Sequence, residues 1–226
     1  MPVRPRRASK PNRSYLVTIN TGPVMVVEDI DSIRDLVVIQ LKLRGYNVIA
    51  ARDGAEALEL IPQERPAVIV ADILMPRVDG FLLVHRLRSD PKTANIPIIF
   101  LSATYVSAED EQFALSLGAI RFLSKPAEAD DLTLAVADAI TGQPQSKPPM
   151  SDREFYLGYR ERLEKKIKQK ASQIARNKEQ LGNLPEESRE TYRRLIADAQ
   201  AQYDEIQREL SALLKVMSEI SDKEEK

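Results

Sequence analysis

The sequence predicts an α/β fold: a doubly wound, five-stranded parallel sheet followed by a C-terminal two-helix coiled-coil arm. Five short Val- and Ile-rich runs alternate with segments of helical period across residues 22–141, and the runs are apolar almost throughout. Strands of that kind are buried on both faces, as a parallel sheet covered by helices requires. The arm follows from a 4-3 apolar repeat near the C-terminus.

The five runs are Val24–Val27, Tyr46–Ala50, Ala67–Ala71, Pro97–Leu101 and Ala119–Leu123. Between them, Ile33-Leu36-Val37-Leu41 and Phe81-Leu82-Val84-Leu87 are spaced for one helix face. Asp53 with Glu56 reads as a capping box that opens the second helix. Repeated strand–helix units imply right-handed crossovers, with helices on both sides of the sheet.

Around this domain, residues 1–21 read as a mobile basic tail, and Pro144, Pro148 and Pro149 make residues 142–150 a linker that no helix crosses. Ser151 with Glu154 opens the arm, residues 151–222, through a second capping box. Its second half repeats as Tyr192, Ile196, Ala199, Tyr203, Ile206, Leu210, Leu213, Met217, Ile220. The first half, with Tyr156, Leu163, Ile167 and Ile174, is interrupted at Arg160, Lys170 and Asn177. Leu181-Gly182-Asn183-Leu184-Pro185 stops one helix and starts the next. Residues 152–184 carry a net +4 and residues 185–226 a net −4, so a hairpin would pair unlike charges. A lone hairpin still exposes apolar surface, which two hairpins would cover as a four-helix bundle. A homodimer is therefore expected, with the arm also able to dock a protein partner.

Composition excludes several classes. With no cysteine there are neither disulfides nor thiolate metal sites, and a single histidine, His85, removes most zinc and His-based catalytic readings. His85 lies between Val84 and Leu87 and reads as structural. No apolar run approaches the ~20 residues that span a bilayer, and nothing apolar follows the basic N-terminus to form a signal core. A cytoplasmic protein without membrane insertion is expected.

In a doubly wound sheet, ligands bind beyond the carboxyl ends of the strands, where the strand order reverses. The runs end in Glu28-Asp29, Asp72, Ser102-Ala103 and Ser124-Lys125-Pro126. Three carboxylates, a hydroxyl and an ammonium thus converge on one edge. Carboxylates so crowded repel one another unless a cation sits among them, and oxygen ligation suits Mg²⁺. Each residue alone has a plainer reading: Asp72 as a turn cap, Lys125 as a solvated lysine, Ser102 as a helix cap.

Taken in order, Glu28-Asp29, Asp72 with Met75-Pro76 and Gly80, Ser102-Ala103 and Lys125-Pro126 resemble the receiver domain of bacterial two-component response regulators. The resemblance covers residues 22–141 and implies a flavodoxin-like, chemotaxis-regulator-like fold. It implies that Asp72 accepts a phosphoryl group from a sensor histidine kinase. Asp29, Asp72 and the Leu74 backbone carbonyl would hold Mg²⁺, with Glu28 reaching it through water. Lys125 would pair with Asp72 and then with the phosphoryl group, across a cis Lys125–Pro126 bond. Ser102 would move inward on phosphorylation, and Phe122 holds the aromatic switch position, which core packing fits nearly as well. The only chemistry expected is self-catalysed transfer to Asp72 and its hydrolysis. Leu74 and Thr104 stand two residues beyond Asp72 and Ser102, where neither orients a water, so that hydrolysis is expected to be slow.

Three other readings compete. A constitutive dimeric scaffold with a vestigial receiver would not need Lys125 and Ser102 together. A phosphohydrolase with a nucleophilic Asp wants a second acid where Leu74 stands. DNA binding through the basic stretch Lys165-Lys166, Lys168 and Lys170 is opposed by Glu161 and Glu164 and by the Gly-Asn-Leu-Pro break, so nucleic acid is not the expected partner. No phosphate-binding or dinucleotide glycine motif occurs.

Overall fold

The computed structural model describes residues 22–103, 108–142, 150–182 and 185–224. The expected tail 1–21, most of the linker, Thr104 and the corner at 183–184 lie outside them. Five parallel strands, β1 (Val24–Val27), β2 (Val48–Ala51), β3 (Val68–Ala71), β4 (Ile98–Ala103) and β5 (Arg121–Lys125), form one sheet in the order β2-β1-β3-β4-β5. The order reverses between β1 and β3. The loops after these two strands therefore leave toward opposite faces and open a crevice between them.

Helices cover both faces. The layer of α1 (Asp31–Leu43) and α5 (Ala129–Thr141) buries Val37, Leu41, Leu132 and Val136 against Val24, Val26, Val70 and Ile99. The opposite layer, α2 (Gly54–Leu60), α3 (Gly80–Ser89) and α4 (Ala108–Ser116), packs Ala57, Phe81, Val84 and Phe113 against Met25, Ile69 and Phe100. Alternate residues of each strand thus serve opposite cores, which is why the runs lack polar alternation. Two local expectations are corrected. Leu36 is 53% exposed and lies off the buried face of α1, which is completed by Val38. At α2, Asp53 accepts from the Ala55 and Glu56 amides, but Glu56 reaches back to the Arg52 amide (2.7 Å), one residue outside a capping box.

The arm consists of α6 (Asp152–Gly182) and α7 (Glu186–Glu224). The Ser151–Glu154 box is formed as expected, with Ser151 Oγ donating to Glu154 at 2.6 Å and accepting from its amide at 3.3 Å. The helices run antiparallel, so Tyr159 meets Glu209 across them. The buried face of α6 is Phe155, Tyr159, Leu163 and Ile174: Leu163 and Ile174 are as expected, whereas Phe155 and Tyr159 stand in for Tyr156, which is only partly covered.

The reason is that α6 packs on the receiver as well as on α7. Phe155 stacks on His85 of α3 at 3.8 Å between ring centroids, and the Arg162 guanidinium lies 3.8 Å from the centroid of Phe113 of α4. Gly158 permits this approach, since a Cβ there would sit 2.7 Å from the Phe113 ring. Leu213 of α7 is buried in the same cluster, and Ile206, Leu210 and Met217 pack against it. Of the apolar seam on which the homodimer expectation rested, Ala199 and Leu213 are buried within one chain, while Tyr192, Ile196, Tyr203, Ile206, Leu210 and Met217 are only partly covered. His85, with Asp152 3.3 Å from its Nε2, is structural as expected.

Among the described residues no helix is long and apolar enough to cross a membrane. Replacing Phe155 with alanine is expected to lower the free energy of unfolding by about 3–5 kcal/mol. Gly158→Val, which presses side-chain atoms on Phe113, is expected to cost about 1–3 kcal/mol. Denaturant unfolding measures both, and a Gly158→Val chain as stable as the parent would mean that α6 does not press on α4.

Candidate functional site

The crevice at the strand reversal is where the expected residues meet. Glu28 and Asp29 follow β1, Asp72 follows β3, and Lys125 is the last residue of β5. Carboxylate oxygens of Glu28, Asp29 and Asp72 lie within 4.8 Å of one another. Lys125 Nζ stands between two of these groups, 2.5 Å from Glu28 Oε2 and 2.8 Å from Asp72 Oδ2. The other oxygen of Asp72 accepts from the Ile73 amide at 2.7 Å, so both its oxygens are held. The Glu28 carbonyl accepts from Arg34 at 2.8 Å, which fixes the strand end that carries the acidic pair.

Burial and charge are out of balance here. Glu28 and Asp72 are buried, and Asp29 is more open. Burial pushes the Glu28 carboxyl above its ordinary value; the Lys125 hydrogen bond opposes this, and the charge of Asp72 adds to it. Asp29 is raised by burial and then by Asp72. Burial works against the charge on Lys125, but its hydrogen bond to Asp72 and the charges of Asp72 and Glu28 outweigh that and raise it. One ammonium serves three carboxylates, and the remaining strain falls on the acids. An all-oxygen set short of positive charge fits a divalent cation such as Mg²⁺.

The remaining expected residues surround this centre. Ser102 is 1% exposed, and its Oγ has no hydrogen-bond partner among the described residues, a costly state for a buried hydroxyl. Phe122 is half-buried and paired in register with Phe100, on the strand beside Ser102. Leu74 is half-exposed and lines the mouth of the crevice with Asp29. The Lys125–Pro126 peptide is cis. Gly80 lets α3 start directly beneath β3, because a Cβ there would collide with the Asp72 carbonyl oxygen.

Three supports were not read from the sequence as part of the site. Arg77, in the loop after Asp72, has a left-handed backbone (φ 64°), and its guanidinium pairs with buried Asp53. An arginine gives no signal for that conformation, which favours glycine or asparagine. Asp79 caps α3 by accepting from the Leu82 amide (2.9 Å), and an Asp before Gly-Phe-Leu is a legible cap signal. Beyond the cap, Lys166 Nζ of α6 lies 3.4 Å from Asp79. Arg162 donates to the Glu109 carbonyl (2.6 Å) and pairs with Asp110 at the start of α4. The arm therefore grips the first turns of the two helices that follow Asp72 and Ser102.

Comparison with known proteins agrees with this geometry. Residues 24–137, half of the chain, match the response regulator receiver domain. The chain is 35% identical over 113 residues to the DNA-binding dual master transcriptional regulator RpaA of Synechocystis sp., covering 50% of this chain and 46% of that one. It is 37% identical over 109 residues to the response regulator MprA of Mycolicibacterium vanbaalenii, 48% and 46% of the two chains. It thus spans about half the length of these relatives. Because one of them is named as DNA-binding, the expectation against nucleic acid gains no support from them. Among solved structures, the chemotaxis protein CheY4 of Vibrio cholerae superposes with a TM-score of 0.50 at 34% identity, over 53% of this chain and 98% of that one. The receiver domain of a Syntrophus aciditrophicus signal transduction histidine kinase does so with a TM-score of 0.50 at 28% identity, over 58% and 98%. With the sheet order, the crevice and the matched residues in agreement, the chain belongs to the response regulator receiver domain family.

Proposed function

We propose that this protein is a two-component response regulator that takes a phosphoryl group on Asp72 from the phosphohistidine of a sensor kinase and passes the change to its helical arm. The observation that carries the reading is the position of Lys125, bridging Asp72 and Glu28 at 2.8 and 2.5 Å in the crevice at the strand reversal. In this reading Asp72 attacks phosphorus through one carboxylate oxygen. The new bond is the acyl phosphate P–O, the bond broken is P–N, and the imidazole leaves with its electron pair. The Ile73 amide and Lys125 orient the nucleophile, and Lys125 then turns to a phosphoryl oxygen.

Mg²⁺, held by Asp29, Asp72 and the Leu74 carbonyl with Glu28 in support, would supply neutralisation of the charge on the phosphoryl oxygens. The Ser102 hydroxyl, buried without a partner, is suited to donate to the same group, and Phe122 would follow it inward. No other enzymatic activity is proposed. The output is assigned to the arm because Lys166 and Arg162 hold the starts of α3 and α4, where displacement of Asp72 and Ser102 would first be felt. Whether that output is pairing with a second copy or docking of a partner is read by sedimentation with and without beryllofluoride and Mg²⁺.

Incubation with acetyl phosphate and Mg²⁺ is expected to add one phosphoryl group by mass. Asp72→Asn is expected to abolish the gain, and Lys125→Ala to slow it by about a hundredfold or more. An Asp72→Asn chain that is labelled as readily as the parent would end this reading. With Leu74 leaving the attacking water unoriented, the label is expected to persist without a phosphatase, and Leu74→Asn to shorten its lifetime. Rapid spontaneous loss from the parent, followed by mass spectrometry, would contradict that account.

A further inference from the structure

The loop from Asp72 to Gly80 carries the Leu74 carbonyl, one of the oxygens assigned above to Mg²⁺. Two hydrogen bonds fix the ends of this loop: the Ile73 amide donates to the Asp72 carboxylate (2.7 Å), and the Gly80 amide to the Ile73 carbonyl (2.9 Å). The buried side chains of Ile73, Met75 and Val78 anchor it in the core. The backbone of Leu74 has no such support. Among the described residues neither its amide nor its carbonyl is hydrogen-bonded. Apolar packing of its neighbours fixes where the loop lies, but not which way that carbonyl points.

Two contacts beyond Leu74 tie the loop to the start of α2. The Gly54 amide donates to the Val78 carbonyl at 3.0 Å, an approach that needs glycine, since a Cβ there would lie 2.6 Å from that oxygen. Beside it, Arg77 donates through Nε (2.6 Å) and through Nη2 to Oδ2 of Asp53. The other oxygen of Asp53 caps α2, accepting from the Ala55 and Glu56 amides at 2.9 and 3.0 Å. Asp53 is therefore a buried, fully engaged fixed point. To reach it Arg77 holds a left-handed backbone (φ 64°), which a residue with a Cβ keeps only where its surroundings enforce it.

We propose that Arg77 is a positioning residue for the divalent cation: its tether to Asp53 sets the direction of the loop that presents the Leu74 carbonyl. This rests on the cation site of the proposed function. Mg²⁺ demands near-octahedral oxygen geometry, whereas Ca²⁺ accepts a looser and larger set of oxygens. A carbonyl released from its direction therefore weakens Mg²⁺ binding more than Ca²⁺ binding. Charge alone predicts the opposite sign. Arg77 is itself a cation and lines one cavity with Asp29 and Leu74, so its loss would relieve repulsion and tighten cation binding.

The test is calorimetric titration of the full chain with Mg²⁺ and, separately, with Ca²⁺, in the parent, Arg77→Gly and Arg77→Lys. Glycine adopts the left-handed backbone freely, so Arg77→Gly removes the tether while easing the turn. Both donors of Arg77 converge on one oxygen, so the single ammonium of Arg77→Lys is able to stand in for them. Arg77→Gly is expected to bind Mg²⁺ about tenfold more weakly, with a smaller loss for Ca²⁺, and Arg77→Lys to recover most of the difference. A glycine variant that binds Mg²⁺ as tightly as the parent, or more tightly, overturns the proposal. Equal losses for the two ions, or a lysine variant as weak as the glycine one, do so as well, because they mark a general loosening. A parent chain that takes up no Mg²⁺ would remove the cation from the proposed function and this role with it. Unequal parent and variants cannot arise that way, so the two failures are distinguishable.

Discussion

The organisation of this protein depends on a charge imbalance: three carboxylates and one ammonium gathered where the sheet reverses its strand order. No continuous segment produces that gathering. Glu28 and Asp29 are separated from Lys125 by nearly a hundred residues, and only parallel strands side by side bring their ends together. The two cores that bury alternate faces of those strands hold repelling groups in place, so hydrophobic burial offsets the cost of assembling the site. The site is thereby left short of positive charge, which suits the proposed acyl phosphate chemistry with a divalent cation.

The arm is the chain's own addition to a shared fold. It caps the layer of α2, α3 and α4, with Phe155 between His85 and Phe113 and with Arg162 and Lys166 on the starts of α4 and α3. Unlike charges on α6 and α7 suit a hairpin, but what places the hairpin is an aromatic cluster shared with the receiver. The same junction gathers Asp79, Tyr159 and Glu209. Its polar and apolar parts therefore face the loop that leaves Asp72.

The sheet and the site were legible in the sequence for one reason. Buried parallel strands leave uninterrupted Val and Ile runs, and the candidate residues Glu28-Asp29, Asp72, Ser102 and Lys125 stand at the ends of those runs, so their placement could be read by position, while their roles come from the family resemblance. The strand ends were less legible: β5 spans Arg121–Lys125 instead of Ala119–Leu123, and its extension past Leu123 was missed because polar Ser124 and Lys125 on an edge strand break the apolar pattern without ending the strand. The face of α6 was read only in part: Leu163 and Ile174 are buried as spacing suggests, but heptad spacing assumes one partner helix, whereas Phe155 and Tyr159 turn toward two partners, α7 and the receiver. Tyr156 and Ile167 fit the seam by spacing but are only partly covered. Arg77 and Asp53 could not be paired from sequence, since the contact spans 24 residues and rests on a left-handed backbone that arginine seldom adopts.

Gly80 has a mechanical consequence. With no side chain between the first turn of α3 and the Asp72 carbonyl, strand and helix meet backbone to backbone, and the Gly80 amide donates to Ile73 at 2.9 Å. Such a joint has no compressible layer to absorb a small shift. A shift at the strand end would therefore bear directly on the neighbouring Asp79, and through it on Lys166 of α6.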